Sequence, residues 1–203
     1  MELNRILTTI LLIAVIIISC SCNSVKKIST KYYDENKIAL DSIEHNFKIL
    51  YQQKPFSIEF TDKSFNYVSI EIITDTLKYI YEFGINETRL IDTLTKYHFN
   101  EKAIVDLFSQ MRSIHCTWIN YLDYYVDEKK EALIFISMRP VGLSKPFTNK
   151  KYYIITYFSQ PQYFDNEGKL LVKRKRQRIR KINGEIFWRI NDKVCYSISG
   201  RFR

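Results

Sequence analysis

HFNEKAIVDLFSQMRSIHCTWINYLDYYVDEKKEALIFISM, residues 98–138, changes its hydrophobic period halfway along. In the first half Ile104, Leu107, Phe108, Met111 and Ile114 recur at the spacing of one helix face. Asn100 stands where an N-cap accepts a backbone N–H, and Phe99 before it can pack on Ile104 as a staple. In the second half Cys116–Val126 and Ala132–Met138 are strand-like runs around Asp127-Glu128-Lys129-Lys130, which predicts a hairpin. A core-facing helix that runs straight into a hairpin implies an α+β fold with an antiparallel sheet, not alternating strand and helix.

The flanks extend that pattern. Upstream, Leu40, Ile43, Phe47 and Leu50 place an amphipathic helix over Asn36–Gln52, which Pro55 ends. Strands are expected at Phe56–Phe60, Tyr67–Thr74 and Leu77–Phe83, the last two joined by a tight turn at Asp75-Thr76. Thr88–His98 fits either period and is read as a strand. Downstream, Pro140–Pro146 is a loop, and strands are expected at Tyr152–Ser159, Lys169–Ile182, Glu185–Ile190 and Val194–Ser199, with Asn183-Gly184 as a hairpin turn. The expectation is a mostly antiparallel sheet of about seven to eight strands, with two main helices on one face, in a single domain over 36–203. The 15 Tyr and 13 Phe suit such a core and sheet face, or else an exposed aromatic platform for a flat ligand such as a sugar.

The N-terminus has a different character. Met1–Arg5 is short and polar, and Ile6–Ile18 is apolar apart from Thr8 and Thr9. That run has the length of a signal-peptide apolar region and falls short of the ~20 residues of a comfortable membrane span. It ends in Ile17-Ile18-Ser19-Cys20: an aliphatic residue, a permissive one, a small one, then cysteine. These four resemble the lipobox of bacterial lipoproteins. The resemblance implies cleavage before Cys20, diacylglycerol on its thiol and acylation of the new N-terminus. Residues 1–19 are then a signal peptide, and 20–35 the lipidated cysteine and a polar tether, Asn23–Tyr33. Two features depart from the pattern: Glu2 offsets Arg5, and Cys22 follows at once. Taking Cys22 as the acceptor would put Ser19 at the aliphatic position, so Cys20 fits better. Ser21 is not the Asp that resembles an inner-membrane retention signal, which points to the outer membrane rather than the inner.

With Cys20 acylated, Cys116 and Cys195 remain in strand-like segments, either bridged in an oxidising compartment or separate buried thiols. There is no C-x-x-C pair, zinc-ligand pattern, P-loop, G-x-G-x-x-G or G-x-S-x-G elbow. His45, His98 and His115 lack metal-ligand spacing. No cofactor is expected, and the enzyme question stays open with a lean against.

The net charge of +9 is unevenly spread. From Lys169 to Arg203, 12 Lys or Arg stand against 2 acids, a surplus of +10 in the last 35 residues. Its centre is Lys173-Arg174-Lys175-Arg176-Gln177-Arg178-Ile179-Arg180-Lys181, with basic side chains on both alternating sets. This run reads as a solvated hairpin end or guarded edge strand, or as a binding patch made of Lys173, Arg174, Lys175, Arg176, Arg178, Arg180 and Lys181. In an envelope compartment such a patch would meet anionic lipid, lipopolysaccharide or an acidic protein, and not nucleic acid. The functional expectation is a non-enzymatic, membrane-tethered envelope protein that binds through this basic β-surface. The alternatives are a tethered immunity or inhibitor protein and, third, an envelope hydrolase with an unrecognised site.

Overall fold

The computed structural model describes residues 2–126, 129–138, 152–171 and 187–199. The chain divides into two units, Met1–Glu35 and Asn36–Arg203. The first is helical, part of α1 (Glu2–Gln53), and side chains are described in it from Lys26 onward. The stretch read as a tether is therefore helix. The reason is the absence of a stop signal: the first proline is Pro55 and the first glycine Gly84, so nothing breaks the i to i−4 ladder before Gln53. Among the described residues no helix is long and apolar enough to cross a membrane.

The second unit is α+β, as expected. Its sheet has eight antiparallel strands in the order β3-β2-β1-β4-β5-β6-β8-β7: β1 (Phe56–Phe60), β2 (Tyr67–Ile73), β3 (Lys78–Gly84), β4 (Cys116–Val126), β5 (Lys129–Met138), β6 (Tyr152–Phe158), β7 (Trp188–Arg189) and β8 (Val194–Ser199). The helices after α1 are α2 (Thr88–Lys96) and α3 (Glu101–Ser113). Residues 139–151, which contain the expected loop Pro140–Pro146, and 172–186, with the Asn183-Gly184 turn, lie outside the described residues.

Register assigns each side chain to a face, because opposed residues share one. Ile58 opposes Ile70 and Ile119, and Ile119 opposes Ile136. These belong to the helix-covered face. There the Phe47 ring of α1 lies 5.1 Å from Phe56, and Phe108 of α3 lies 6.2 Å from Phe60. Leu40, Ile43, Phe47, Ile104, Leu107 and Met111 are all buried. The α3 N-terminus forms as the sequence predicts, with Asn100 Oδ1 accepting from the Ala103 N–H at 3.1 Å.

On the other face Leu133, Phe135, Ile154, Phe158 and Cys195 form a second cluster, capped by Phe164, Leu170 and Phe187 from the segments flanking β6 and β7. The cap depends on a turn at Asp165–Gly168. Its Gly168 takes φ +84°, where a side chain would be strained, and Asp165 Oδ1 accepts from the Glu167 and Lys169 N–H groups.

One expected element changes type. Thr88–His98, read as a strand, contains helix α2. Leu90 and Leu94, both fully buried, are four apart, which satisfies alternation and one helix face equally. The C-terminal end decides it. The Phe99 N–H donates to the Leu94 carbonyl and the His98 N–H to that of Thr95, both at 2.9 Å. This is a Schellman closure with His98 at φ 55° where glycine is usual. His115 stands at the same position after α3, with φ 56° and its N–H donating to the Arg112 carbonyl. Each pays the left-handed cost of a Cβ, so His98→Gly is expected to stabilise the fold by about 0.5–1 kcal/mol, net of the entropy glycine adds to the unfolded chain. A denaturant midpoint that falls in this variant would show that the His98 side chain has a stabilising role of its own.

Candidate functional site

Cys20 falls within α1, and its side chain is not among those described. The basic residues Lys173, Arg174, Lys175, Arg176, Arg178, Arg180 and Lys181 all lie outside the described residues. The structure does describe the residues on either side of that segment. Lys169 bridges Trp188, the Leu170 N–H donates to the Phe187 carbonyl at 2.9 Å, and the Arg189 N–H donates to the Gly168 carbonyl at 2.7 Å. The described residues on the two sides of 172–186 are therefore paired with each other, on the cap of the second core cluster.

The two cysteines of the domain are separate. Cys116 opposes Met138 on the helix-covered face, while Cys195 opposes Thr156 on the other. Strands β5 and β6 lie between theirs, three strand spacings of ~4.8 Å, well beyond disulfide reach. Both are free and buried, and burial pushes each thiol up to about 12, so neither is a ready nucleophile. His115, next in sequence to Cys116, is exposed in its left-handed cap while Cys116 is fully buried. The two form no nucleophile–base pair. His45 and His98 are also exposed.

Sequence reasoning did not find a hollow of about 370 Å³ at the C-terminal end of α3, lined by Ser64, Phe65, Ser109, Arg112, Ser113 and His115. Phe65 and His115, both with positive φ, meet there edge to face at 5.7 Å. The loop carrying Ser64 and Phe65 is held by Asp62, whose carboxylate accepts from the backbone N–H groups of Ser64, Asn66 and Tyr67 at 2.8–3.0 Å. Partial burial pulls the Asp62 carboxyl upward, but those N–H groups outweigh it and hold the group below its ordinary value. Left-handed non-glycine residues carry no sequence signature, so nothing in the chain announced this meeting. The Ser109 and Ser113 hydroxyls donate to the helix carbonyls of Val105 and Gln110, which leaves only their acceptor lone pairs for the hollow. With Arg112 its one full charge and no carboxylate in its lining, the hollow could hold a small anion but has no acid–base pair. Among the described residues, no three His, Cys, Asp or Glu are grouped so as to hold a metal ion.

The aromatic residues divide. Phe47, Phe56, Phe60 and Phe108 are core. Tyr79, Tyr81 and Tyr97 form a half-buried group beside β3. In it the Tyr81 and Tyr97 hydroxyls are 2.6 Å apart, which together with burial pushes the Tyr97 phenol up to about 12. No family model matches the chain, and no curated protein or solved structure matches it.

Proposed function

We propose that this chain is a cell-envelope lipoprotein, anchored through Cys20, whose domain binds an anionic membrane surface through its basic C-terminal segment. The observation that carries this reading is the partition of charge. A surplus of +10 sits in the last 35 residues, while Cys20–Gly168 holds 18 basic and 19 acidic residues. The paired flanks at Leu170 and Phe187 support it, because the stretch 172–186 with its seven Lys and Arg is joined to the fold at both ends through residues paired with each other. The apolar run ending in Ser19-Cys20 supports the anchor and, with Ser21 following, an outer-membrane address. Lipid phosphates and the phosphates of lipopolysaccharide offer the same chemistry to such a segment.

The test reverses charge at Arg174, Arg176 and Arg178 by substitution with Glu, in a Cys20→Ser background so that no acyl chain contributes. Each basic residue near an anionic surface contributes ~1 kcal/mol, so binding to vesicles rich in anionic lipid should fall by at least about a hundredfold. Thermal stability should hardly move, since exposed charges contribute ~0–1 kcal/mol each. Binding by the unreversed chain should weaken steeply with salt. Lipopolysaccharide micelles and zwitterionic vesicles are the other arms. Salt-insensitive binding, or no binding to either anionic surface, would defeat the reading and favour an acidic protein as the partner.

A further inference from the structure

We propose that the protein forms a two-fold symmetric dimer in which β3 pairs antiparallel with β3 of a second copy, centred on Ile80. Strand β3 is one end of the sheet, and among the described residues no strand covers its outer side. The opposite end, β7, is only two residues long and offers little to pair with.

Parity of the ladder shows which groups are free to pair. The Thr74 N–H donates to the Leu77 carbonyl and the Ile85 N–H to the Asn66 carbonyl, both at 2.9 Å. With Thr74 opposite Leu77 and Asn66 opposite Ile85 as hydrogen-bonded positions, Tyr79, Tyr81 and Phe83 turn their backbone groups toward β2. Lys78, Ile80 and Glu82 therefore turn theirs outward. The next outward residue, Gly84, is already satisfied: its N–H donates to Glu87 Oε2 at 3.1 Å and its carbonyl accepts from the Glu87 N–H at 2.9 Å. The open edge is thus Lys78 to Glu82, five residues with a basic end, an apolar centre and an acidic end.

That order is self-complementary in one register. Centred on Ile80, the pairing sets Lys78 opposite Glu82 of the copy, Ile80 opposite Ile80, and Glu82 opposite Lys78. All three are hydrogen-bonded positions, so each pair exchanges two backbone bonds. Tyr79 then faces Tyr81 of the copy at the closer positions between them, a cross-strand aromatic pair. Centring instead on Lys78 or on Glu82 would set like charges against each other, and centring on either tyrosine would leave both charges without a counter-charge: Lys78 would face Ile80 and Glu82 would face Thr76 about Tyr79, or Glu82 would face Ile80 and Lys78 would face Gly84 about Tyr81. The charged side chains are already oriented on their face of the sheet. Lys78 Nζ is 2.7 Å from Glu71 Oε1, and Glu82 Oε1 accepts from Thr61 Oγ1 at 2.8 Å. Ile80 is 57 % exposed in the single chain, the side chain that gains most from being covered. The same two charges discourage unrelated strands from adding to the edge, so they fit a copy better than a stranger.

The experiment uses the full chain in mild detergent, followed by sedimentation velocity over a concentration series, with circular dichroism to confirm that each variant is folded. The unaltered chain should dimerise. Lys78→Glu and Glu82→Lys should each weaken the dimer by roughly tenfold or more, because each places two like-charged pairs across the two-fold axis. The double exchange Lys78→Glu with Glu82→Lys should restore association to within a few fold, which simple damage to β3 would not allow. Ile80→Cys should form an intermolecular disulfide joining the two introduced thiols on mild oxidation, since hydrogen-bonded antiparallel partners have Cα atoms ~5.5 Å apart. An unaltered chain that stays monomeric at ~100 μM, single variants that dimerise as well as the unaltered chain, or a double exchange that fails to rescue would each overturn the proposal.

Discussion

Replacing Cys20 by serine should abolish fatty-acid labelling of the chain and release it from the membrane fraction. The expectation rests on the chemistry of a thiol at the end of an apolar run. A serine hydroxyl has nearly the same size but is not the nucleophile that accepts diacylglycerol in the lipoproteins whose signal Ile17-Ile18-Ser19-Cys20 resembles. The effect should be all or none. Each buried methylene contributes ~0.8 kcal/mol, so several acyl chains hold a protein on a bilayer almost irreversibly, whereas a basic segment alone is held reversibly and screened by salt. Cys22→Ser is the control, since Cys22 sits two residues past the expected cleavage point and should be dispensable for attachment. Metabolic labelling with a tritiated fatty acid, followed by fractionation, reads both variants. Label retained in Cys20→Ser but lost in Cys22→Ser would move the attachment point. Label retained in both would remove the lipoprotein reading.

Much of the second unit could be read from local pattern, because its elements announce themselves by period and by their ends. Strand β1 starts and ends where Phe56–Phe60 implied, α3 carries its stripe and its Asn100 cap, and β8 covers Val194–Ser199. Where the reading failed, two periods or two chain states were nearly degenerate. Leu90 and Leu94 satisfy strand and helix alike, and the deciding hydrogen bonds of His98 and Phe99 belong to a left-handed cap that a glycine would have advertised. Asn23–Tyr33 was expected as a polar tether, and polarity does not decide its backbone state: with glycine and proline absent it is helical. The order of strands needed the pairing of β1 with β4, which brings Ile58 beside Ile119 across 60 residues of chain, and no local signal encodes such a distance. The hollow at Arg112 and the open edge at Ile80 had no signature for the same reason: each depends on which segments become neighbours.

Truncating the α3 stripe should produce the largest loss of stability. Leu107 and Met111 are 1 % and 0 % exposed, four residues apart on the buried side of α3. Leu107→Ala or Met111→Ala removes apolar contacts and leaves a cavity into which a packed core relaxes only in part. Each should cost ~2–5 kcal/mol, a large share of the ~5–15 kcal/mol that typically holds a domain together. Val105→Ala on the same helix, 37 % exposed, should stay within about 0.5 kcal/mol, which separates packing from helix propensity. Because Leu107 and Met111 are helical neighbours that line the same space, the double variant should lose less than the sum of the two singles: the second truncation enlarges a cavity already opened by the first. Urea midpoints, with the slope checked for constancy, measure all four variants. Unchanged midpoints in both single variants would mean that α3 does not pack on the sheet, and a strictly additive double would mean that the two side chains fill separate spaces.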